Sequence, residues 1–344
     1  MPPLLIHIIP EDGLGGAEIA ARHAAIARPD QVQVVSLFGK AAVDLPNVSA
    51  IDAIHPLSPL AAIKAGWRAR KARVAVFSLW KTALAMIACA ILAPGTRRAL
   101  FLHSDRRVHG LDALATRVAA GLAHEIWADS ARTLEGLGHS GTGRRPGRII
   151  SFTLDRKTGR KRSLARPRFV YWGRLNALKR LDRVISLFAR IVAERPEARL
   201  TLIGPDAGSE AALKLQVEQA GISGRVRFTG ALDAPAIAEI ADDHDIFLQL
   251  SDQEGAAMSL IEAMQLGLVS VVTPVGEMGS YIRTGETGII YETEDQAVVE
   301  ITRLLDDPAL FASLSAAAVD HWAGGRLYQD DVLTAARDLA AREV

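Results

Sequence analysis

The sequence predicts an α/β protein of two domains, each built on a doubly wound parallel sheet. Two observations carry the prediction. Short apolar runs bounded by turn residues alternate with longer stretches of helical apolar spacing along the whole chain, the pattern left by strand–helix crossover units. The 344 residues, 49% hydrophobic and 23% charged, also suffice for two sizeable cores.

Residues 4 to 9 read as a short buried strand, followed by the loop EDGLGGAE and a helix to about Ala27. A strand feeding a glycine-rich turn and a helix N-terminus is an anion site by physics, because free amides and the helix dipole both favour negative charge. The spacing is not that of a dinucleotide fingerprint, since GxGxxG from Gly13 needs a glycine where Glu18 stands; no GKS or GKT ending occurs either. Alone, Gly15 and Gly16 fit a plain tight turn equally well. Further strand signals lie at Gln33 to Leu37, Val74 to Leu79, Ala99 to Leu102, Glu125 to Ala128 and Arg148 to Phe152, with helical patterns such as Thr82 to Leu92 between them. His103 ends one strand, in LFLHSD, at the carboxyl edge where such sheets bind ligands. A capping or merely satisfied histidine is its alternative, and His7, inside an apolar strand, reads as structural.

The basic, apolar-poor stretch from Arg156 to Arg168 reads as a linker. It divides a first domain, residues 1–163, from a second, residues 164–320. The second opens with a strand, the loop GRLNALK and a long amphipathic helix, placing Arg174 on the loop and Lys179 at the helix start, where the dipole adds to their charge. After VRFTGALD comes DDHDIFLQLS, whose Asp243 and Asp245 form a D-x-D. It falls just before a strand, at the wrong edge for a ligand, and reads as helix-end and turn chemistry. The stretch SDQEGAAMSLIEAMQLGLVSVVTP follows as loop, helix and strand. Glu254, with Gly255 beside it, sits at the helix mouth, and Glu262 lies eight positions on, about two turns further in. Two such carboxylates serve as hydroxyl acceptors or as a paired acid and base. The tail from His321 to Val344 reads as crossing back onto the first domain.

These motifs resemble the signature of the retaining glycosyltransferases of family 4: Glu, seven residues, Glu, then Ala-Met, a glycine three residues on and a valine-rich strand. GR-x4-K at Gly173, Arg174 and Lys179 and the GGAE loop match it too. The resemblance implies a GT-B fold, two Rossmann-like domains facing across a cleft, and transfer of a sugar from a nucleotide-diphosphate donor with retention. It implies that Arg174 and Lys179 stabilise the leaving diphosphate, with Gly15 and Gly16 contributing amides, that Glu262 holds the ribose, and that Glu254, Gly255 and His103 meet the sugar. No cofactor and no metal is implied beyond the donor itself. Departures are Ala256-Ala257 where the family has Phe-Gly, and Gly276-Glu277 where it has paired glycines; both touch donor identity rather than reaction class.

Composition bounds the setting. Cys89 is the single cysteine, so no intrachain disulfide forms and a reducing cytoplasm is expected. The N-terminal apolar run lacks a basic leader and cleavage site and reads as a strand. Up to Arg168 there are 25 Lys and Arg against 12 Asp and Glu, and after it 15 against 27. That division suits either complementary solvated surfaces or peripheral contact with an anionic membrane carrying a saccharide or lipid-linked acceptor. Nucleic acid is not an expected partner, because no module or aromatic interleaving accompanies the basic residues. Rival readings are a sugar-nucleotide epimerase of the same fold, which needs more acid–base residues than His103, and a non-catalytic partner of another transferase, disfavoured by intact Arg174, Lys179, Glu254 and Glu262.

Overall fold

A computed structural model describes residues 2–13, 15–41, 43–55, 57–103, 110–138 and 146–342. The chain divides into two compact units, residues 1–154 with 326–344, and residues 155–325.

The first unit contains β1 (Leu5–Ile9), α1 (Gly16–Ala27), β2 (Val32–Phe38), β3 (Val48–Ala53), α2 (Pro59–Ala69), β4 (Val74–Ser78), α3 (Ala83–Leu92), β5 (Arg97–Leu102), α4 (Gly110–Leu122), β6 (Glu125–Ala128), α5 (Ala131–Gly138) and β7 (Gly147–Ile149). Its seven strands pair in the order β3-β2-β1-β4-β5-β6-β7, all parallel. β1 and β4 are buried throughout, as expected of parallel strands covered on both faces. Ile6, Ile8, Ala75, Phe77, Leu100 and Leu102 point to one face, where small residues of α2, α3 and α4 pack.

The second unit contains β8 (Arg168–Trp172), α6 (Leu181–Glu194), β9 (Arg199–Ile203), α7 (Glu210–Gln219), β10 (Val226–Phe228), α8 (Ala234–Asp242), β11 (Ile246–Gln249), α9 (Met258–Gln265), β12 (Val269–Val272), α10 (Met278–Tyr281), β13 (Gly288–Ile290), α11 (Glu294–Asp306) and α12 (Pro308–Trp322). Its six parallel strands order as β10-β9-β8-β11-β12-β13. α6 forms because Leu181, Val184, Ile185, Phe188 and Ile191 recur at helical spacing and fill one core. Asp233 and Asp307 cap α8 and α12 by accepting from backbone amides 2.9 Å away, each ahead of a proline in the first turn. A last helix, α13 (Tyr328–Ala341), packs in the first unit.

Three expectations change and a fourth is extended. Residues 156–168 are not a free linker: Gly159 lies so close to the Gln265 carbonyl that a Cβ would overlap it, and Arg162 is buried, its guanidinium donating to the carbonyl oxygens of Ala241 and Asp242 and to Asp245 Oδ1. The D-x-D does end a helix, Asp243 being the C-cap of α8, and it also clamps this segment to its sheet: Asp245 accepts from Arg166 at 2.8 Å, and Asp243 pairs with Arg166 and Arg168. The chain re-enters the first unit at Arg326 rather than His321; Trp322 stays behind, its indole on Met264 Sδ, while Tyr328 is fully buried against Phe101 and Phe152. Because the arginine-rich segment belongs to the second unit, the division of charge softens: the first unit has 21 Lys and Arg against 15 Asp and Glu, the second 19 against 24.

Candidate functional site

In a sheet of this order the strands run outward in opposite directions from a switch point, and the crevice outside their carboxyl ends there is where ligands bind. In the second unit that point lies between β8 and β11, and the loops leaving those strands carry Arg174, Lys179 and Glu254.

The β8 loop is shaped by Gly173. Its φ of 149° and the approach of the Tyr171 hydroxyl, which a Cβ would meet at 2.6 Å, leave no room for a side chain. Arg174 follows, exposed, and among the described residues no carboxylate pairs with it. Lys179 stands in a separate 3₁₀ turn, Ala177–Lys179, and Arg180 in the left-handed region precedes α6, so Lys179 lies just outside the helix and not in its first turn.

Glu254 holds the centre. Its Oε1 accepts from Lys179 Nζ, Gln249 Nε2 and Ser251 Oγ, each at 2.6 Å. Three donors on one oxygen fix the carboxylate and leave Oε2 without a partner among the described residues. The donors are themselves held: Ser259 Oγ donates to Gln249 Oε1 at 3.1 Å, and Thr273 Oγ1 to the Ser251 carbonyl at 2.6 Å. Asp252 ties the two loops, its amide donating to the Leu178 carbonyl at 2.9 Å and its carboxylate accepting from Arg180 and Arg183. Gly276, with φ 56°, backs this loop so closely that a Cβ would collide with the Glu254 carbonyl, and the Gly255 carbonyl accepts from the Glu277 amide at 3.2 Å. Burial raises the pKa of the Tyr171 hydroxyl; the Glu254 charge adds to the shift and Arg174 opposes it, which places both charges around that ring.

Glu262 is the fifth residue of α9, little more than one turn in, so the two glutamates are separated by a loop and a turn rather than by two turns. Its Oε2 accepts from the Trp172 indole at 3.0 Å. Burial raises its pKa, and the charge of Lys157 and the indole bond oppose the rise. The structure thus brings Lys179 and Glu254 into contact, with Gln249 and Ser251 as further partners of Glu254 and Trp172 as the partner of Glu262, all three missed by sequence reasoning. The signal was there in part: Gln249 and Ser251 are polar interruptions at the end of an apolar strand.

In the first unit the switch point lies between β1 and β4. Gly15 caps α1 with φ −78°, so space and not backbone angle requires glycine: the Glu18 carboxylate folds over it where a Cβ would stand. The helix N-terminus at Gly15 and Gly16 therefore already faces an internal anion. His103 and His7 share a partner that sequence reasoning missed. Ser78 Oγ lies 2.7 Å from His7 Nε2 and 3.0 Å from His103 Nε2. The hydroxyl is able to donate to one ring and accept from the other, with the roles at each Nε2 set by that ring's tautomer. Burial pushes both down to about 3, and the charge of His7 adds to the fall at His103. His103 packs between Phe101 and Phe152, with centroids 4.4 Å and 5.6 Å away, and its Nδ1 is buried without a hydrogen-bond partner among the described residues. Leu79, beside Ser78, has φ 66° and ψ 152°, a strained backbone for a branched side chain at this edge. Arg106, Arg107, Arg144 and Arg145 lie outside the described residues.

Two wholly parallel Rossmann-like sheets with these loops at their switch points define the GT-B fold class. The crystal structure of Alr3699/HepE of Anabaena in complex with UDP and glucose shares the fold, with a TM-score of 0.83 over 99% of this chain and 100% of that one at 18% identity. Residues 155–320 match the model of the glycosyl transferases group 1. Among curated relatives, D-inositol 3-phosphate glycosyltransferase of Thermobispora bispora is 30% identical over 44% of this chain and 38% of its own length. N-acetyl-alpha-D-glucosaminyl L-malate synthase of Bacillus anthracis is 35% identical over 40% of this chain and 35% of its own. The chain thus spans well under half the length of these two curated relatives.

Proposed function

We propose that the protein is a retaining glycosyltransferase that moves a sugar from a nucleoside-diphosphate donor to a saccharide or lipid-linked acceptor, in cell-surface polysaccharide or lipopolysaccharide synthesis at the inner face of the membrane. The observation that carries the reading is the Lys179–Glu254 pair beside an exposed Arg174 that no carboxylate among the described residues pairs with, at the β8–β11 switch point. A departing diphosphate gains negative charge as the sugar bond breaks, and fixed cations are most effective where charge develops. The electron pair of the breaking anomeric bond goes to the leaving phosphate oxygen, the acceptor oxygen bonds the anomeric carbon on the same face, and its proton passes to the leaving phosphate. Arg174 and Lys179 take the charge-neutralising role that a divalent ion has elsewhere. Glu254 Oε2 accepts a sugar hydroxyl, Glu262 the ribose hydroxyls, and His103 a further sugar hydroxyl; Gly15, Gly16 and Gly255 supply backbone.

A second reading of the acceptor has its own support. The two curated relatives are named for inositol 3-phosphate and malate, both small anions with hydroxyls, and a basic first unit suits such an acceptor as well as a lipid-linked one.

Thermal-shift titration with UDP, GDP and ADP, in EDTA, on the wild type and Lys179→Ala tests the donor site. UDP comes first because a neighbour of the same fold was crystallised with it. Stabilisation by one nucleotide, about 2.7 kcal/mol at a hundredfold over its Kd, and its loss in the variant, is the expected result. No stabilisation of the wild type by any of the three, with or without Mg²⁺, would remove the reading.

A further inference from the structure

One surface of the first unit takes no part in the transfer chemistry. α3 packs between α2 and α4 on one face of the first unit's sheet, and α2 and α3 approach so closely that a Cβ on Gly66 would meet the Ala88 backbone at 2.7 Å. Small residues bury the inner sides of the helices. Their outer sides are apolar. α2 exposes Leu60, Ile63 and Trp67, three residues at i, i+3 and i+7, with Leu60 60% exposed. α3, which contains no charged residue, exposes Leu84 and, at 72%, Ile91. α4 repeats the spacing with Leu111, Leu114 and Val118. Single exposed apolar residues need no account, but three neighbouring helices each carrying a stripe form a patch of the kind that contacts a partner.

Charge identifies the partner. Between Asp52 and Asp105 the sequence has eight Lys and Arg and no acidic residue. Lys64, Arg70 and Lys71 stand exposed on and just beyond α2, and the Arg70 guanidinium stacks on the Trp67 ring at 3.3 Å. Asp112 of α4 is buried, bonded by Thr116. Apolar stripes containing a tryptophan and flanked by Lys64, Arg70 and Lys71 match the interface of an anionic bilayer, where side chains enter the headgroup boundary and lysines meet phosphates.

We propose that the α2–α3–α4 face of the first unit docks on an anionic membrane. The inference rests on the transferase reading only for its purpose, since it would hold the enzyme at a lipid-borne acceptor; its test reads lipid binding and needs no transfer. The face lies across the sheet from His7, Ser78 and His103, so its variants leave those residues in place.

The experiment is flotation of the full chain with vesicles of phosphatidylcholine alone and with phosphatidylglycerol added. Wild type is expected to float with the anionic vesicles and to be released by high salt. Ile63→Ser with Trp67→Ser should lower the partition at least about tenfold, and Lys64→Ala with Lys71→Ala about thirtyfold at low salt. Retained thermal stability shows that each variant folds. Equal flotation of wild type and variants, or none of wild type, overturns the proposal. So does a dimer in solution that the Trp67 variant abolishes without vesicle binding, since the face would then belong to a second copy of the chain.

Discussion

Lys179 Nζ lies 2.6 Å from Glu254 Oε1, the oxygen that Gln249 and Ser251 also engage. Both side chains are largely withdrawn from solvent, so removing one partner strands the other. Lys179→Ala is expected to destabilise the protein by about 1–2 kcal/mol, less than for a fully buried pair because Glu254 keeps two neutral donors. Adding Glu254→Gln should restore most of that stability, since the amide needs no cation. Nucleotide affinity should not return in the double variant. Urea unfolding and nucleotide titration on the cycle decide it: affinity recovered along with stability would make the pair purely structural.

The His7–Ser78–His103 chain makes an acid-side prediction. Both imidazoles are held at about 3 in the folded protein, against an ordinary value near 6.5, so the unfolded chain takes up protons first as pH falls. Their stabilising contribution is complete above about pH 6.5 and is lost toward pH 3, with a slope approaching about 1.4 kcal/mol per pH unit for each ring. His7→Gln should flatten the decline between pH 7 and 5 by one proton's worth. His244, also lowered by burial, is common to both proteins and cancels in the difference. Urea unfolding at three pH values suffices, and identical slopes would mean that His7 is not neutral and buried. Ser78→Ala, which deprives both rings at once, should cost about 1–3 kcal/mol.

What the sequence disclosed and what it withheld follow from the range of the interactions. Parallel strands buried on both faces are continuous apolar runs, so β1, β4, β5, β11 and β12 were legible, whereas the edge strand β3, half-buried and carrying Asp52 at φ 57°, was not. Arg174 with Lys179, and Glu254 with Glu262, stood out in the sequence because the spacing within each pair is local, while the Lys179–Glu254 contact that joins the pairs spans 75 residues. Ser78 lies 71 residues from His7 and Asp245 lies 83 from Arg162, and no local pattern announces such pairs. Hence a buried arginine looked like linker composition, and the shared serine went unseen.

Ala257 caps α9 with φ 50° and ψ 60°, left-handed geometry that a Cβ resists. Where the resemblance puts Phe-Gly this chain has Ala256-Ala257, and the backbone at Ala257 takes a conformation that glycine adopts without strain. Ala257→Gly relieves the Cβ and adds freedom to the unfolded chain, for a net gain of about 0.5–1 kcal/mol. Thermal unfolding should rise accordingly. A fall would show that the methyl's burial outweighs the strain.

Glu262 sets the last prediction. Burial raises its pKa, so the folded state prefers the neutral acid; that preference is fully present below the ordinary carboxyl range and is lost as pH rises through the raised value. At neutral pH the charge is therefore a burden on the ligand-free fold, opposed by Lys157 and by the Trp172 indole bond at 3.0 Å. Glu262→Gln keeps an oxygen for the indole and removes the charge, so it should leave stability at pH 7 unchanged or raise it slightly. A ribose hydroxyl, however, donates more strongly to a carboxylate than to an amide, and nucleotide affinity should fall by about 1–2 kcal/mol, roughly five- to thirtyfold. Calorimetric titration of wild type and variant with the stabilising nucleotide separates the two effects. Unchanged affinity with altered stability would take the ribose away from Glu262 and leave it a buried carboxylate that supports Trp172 alone.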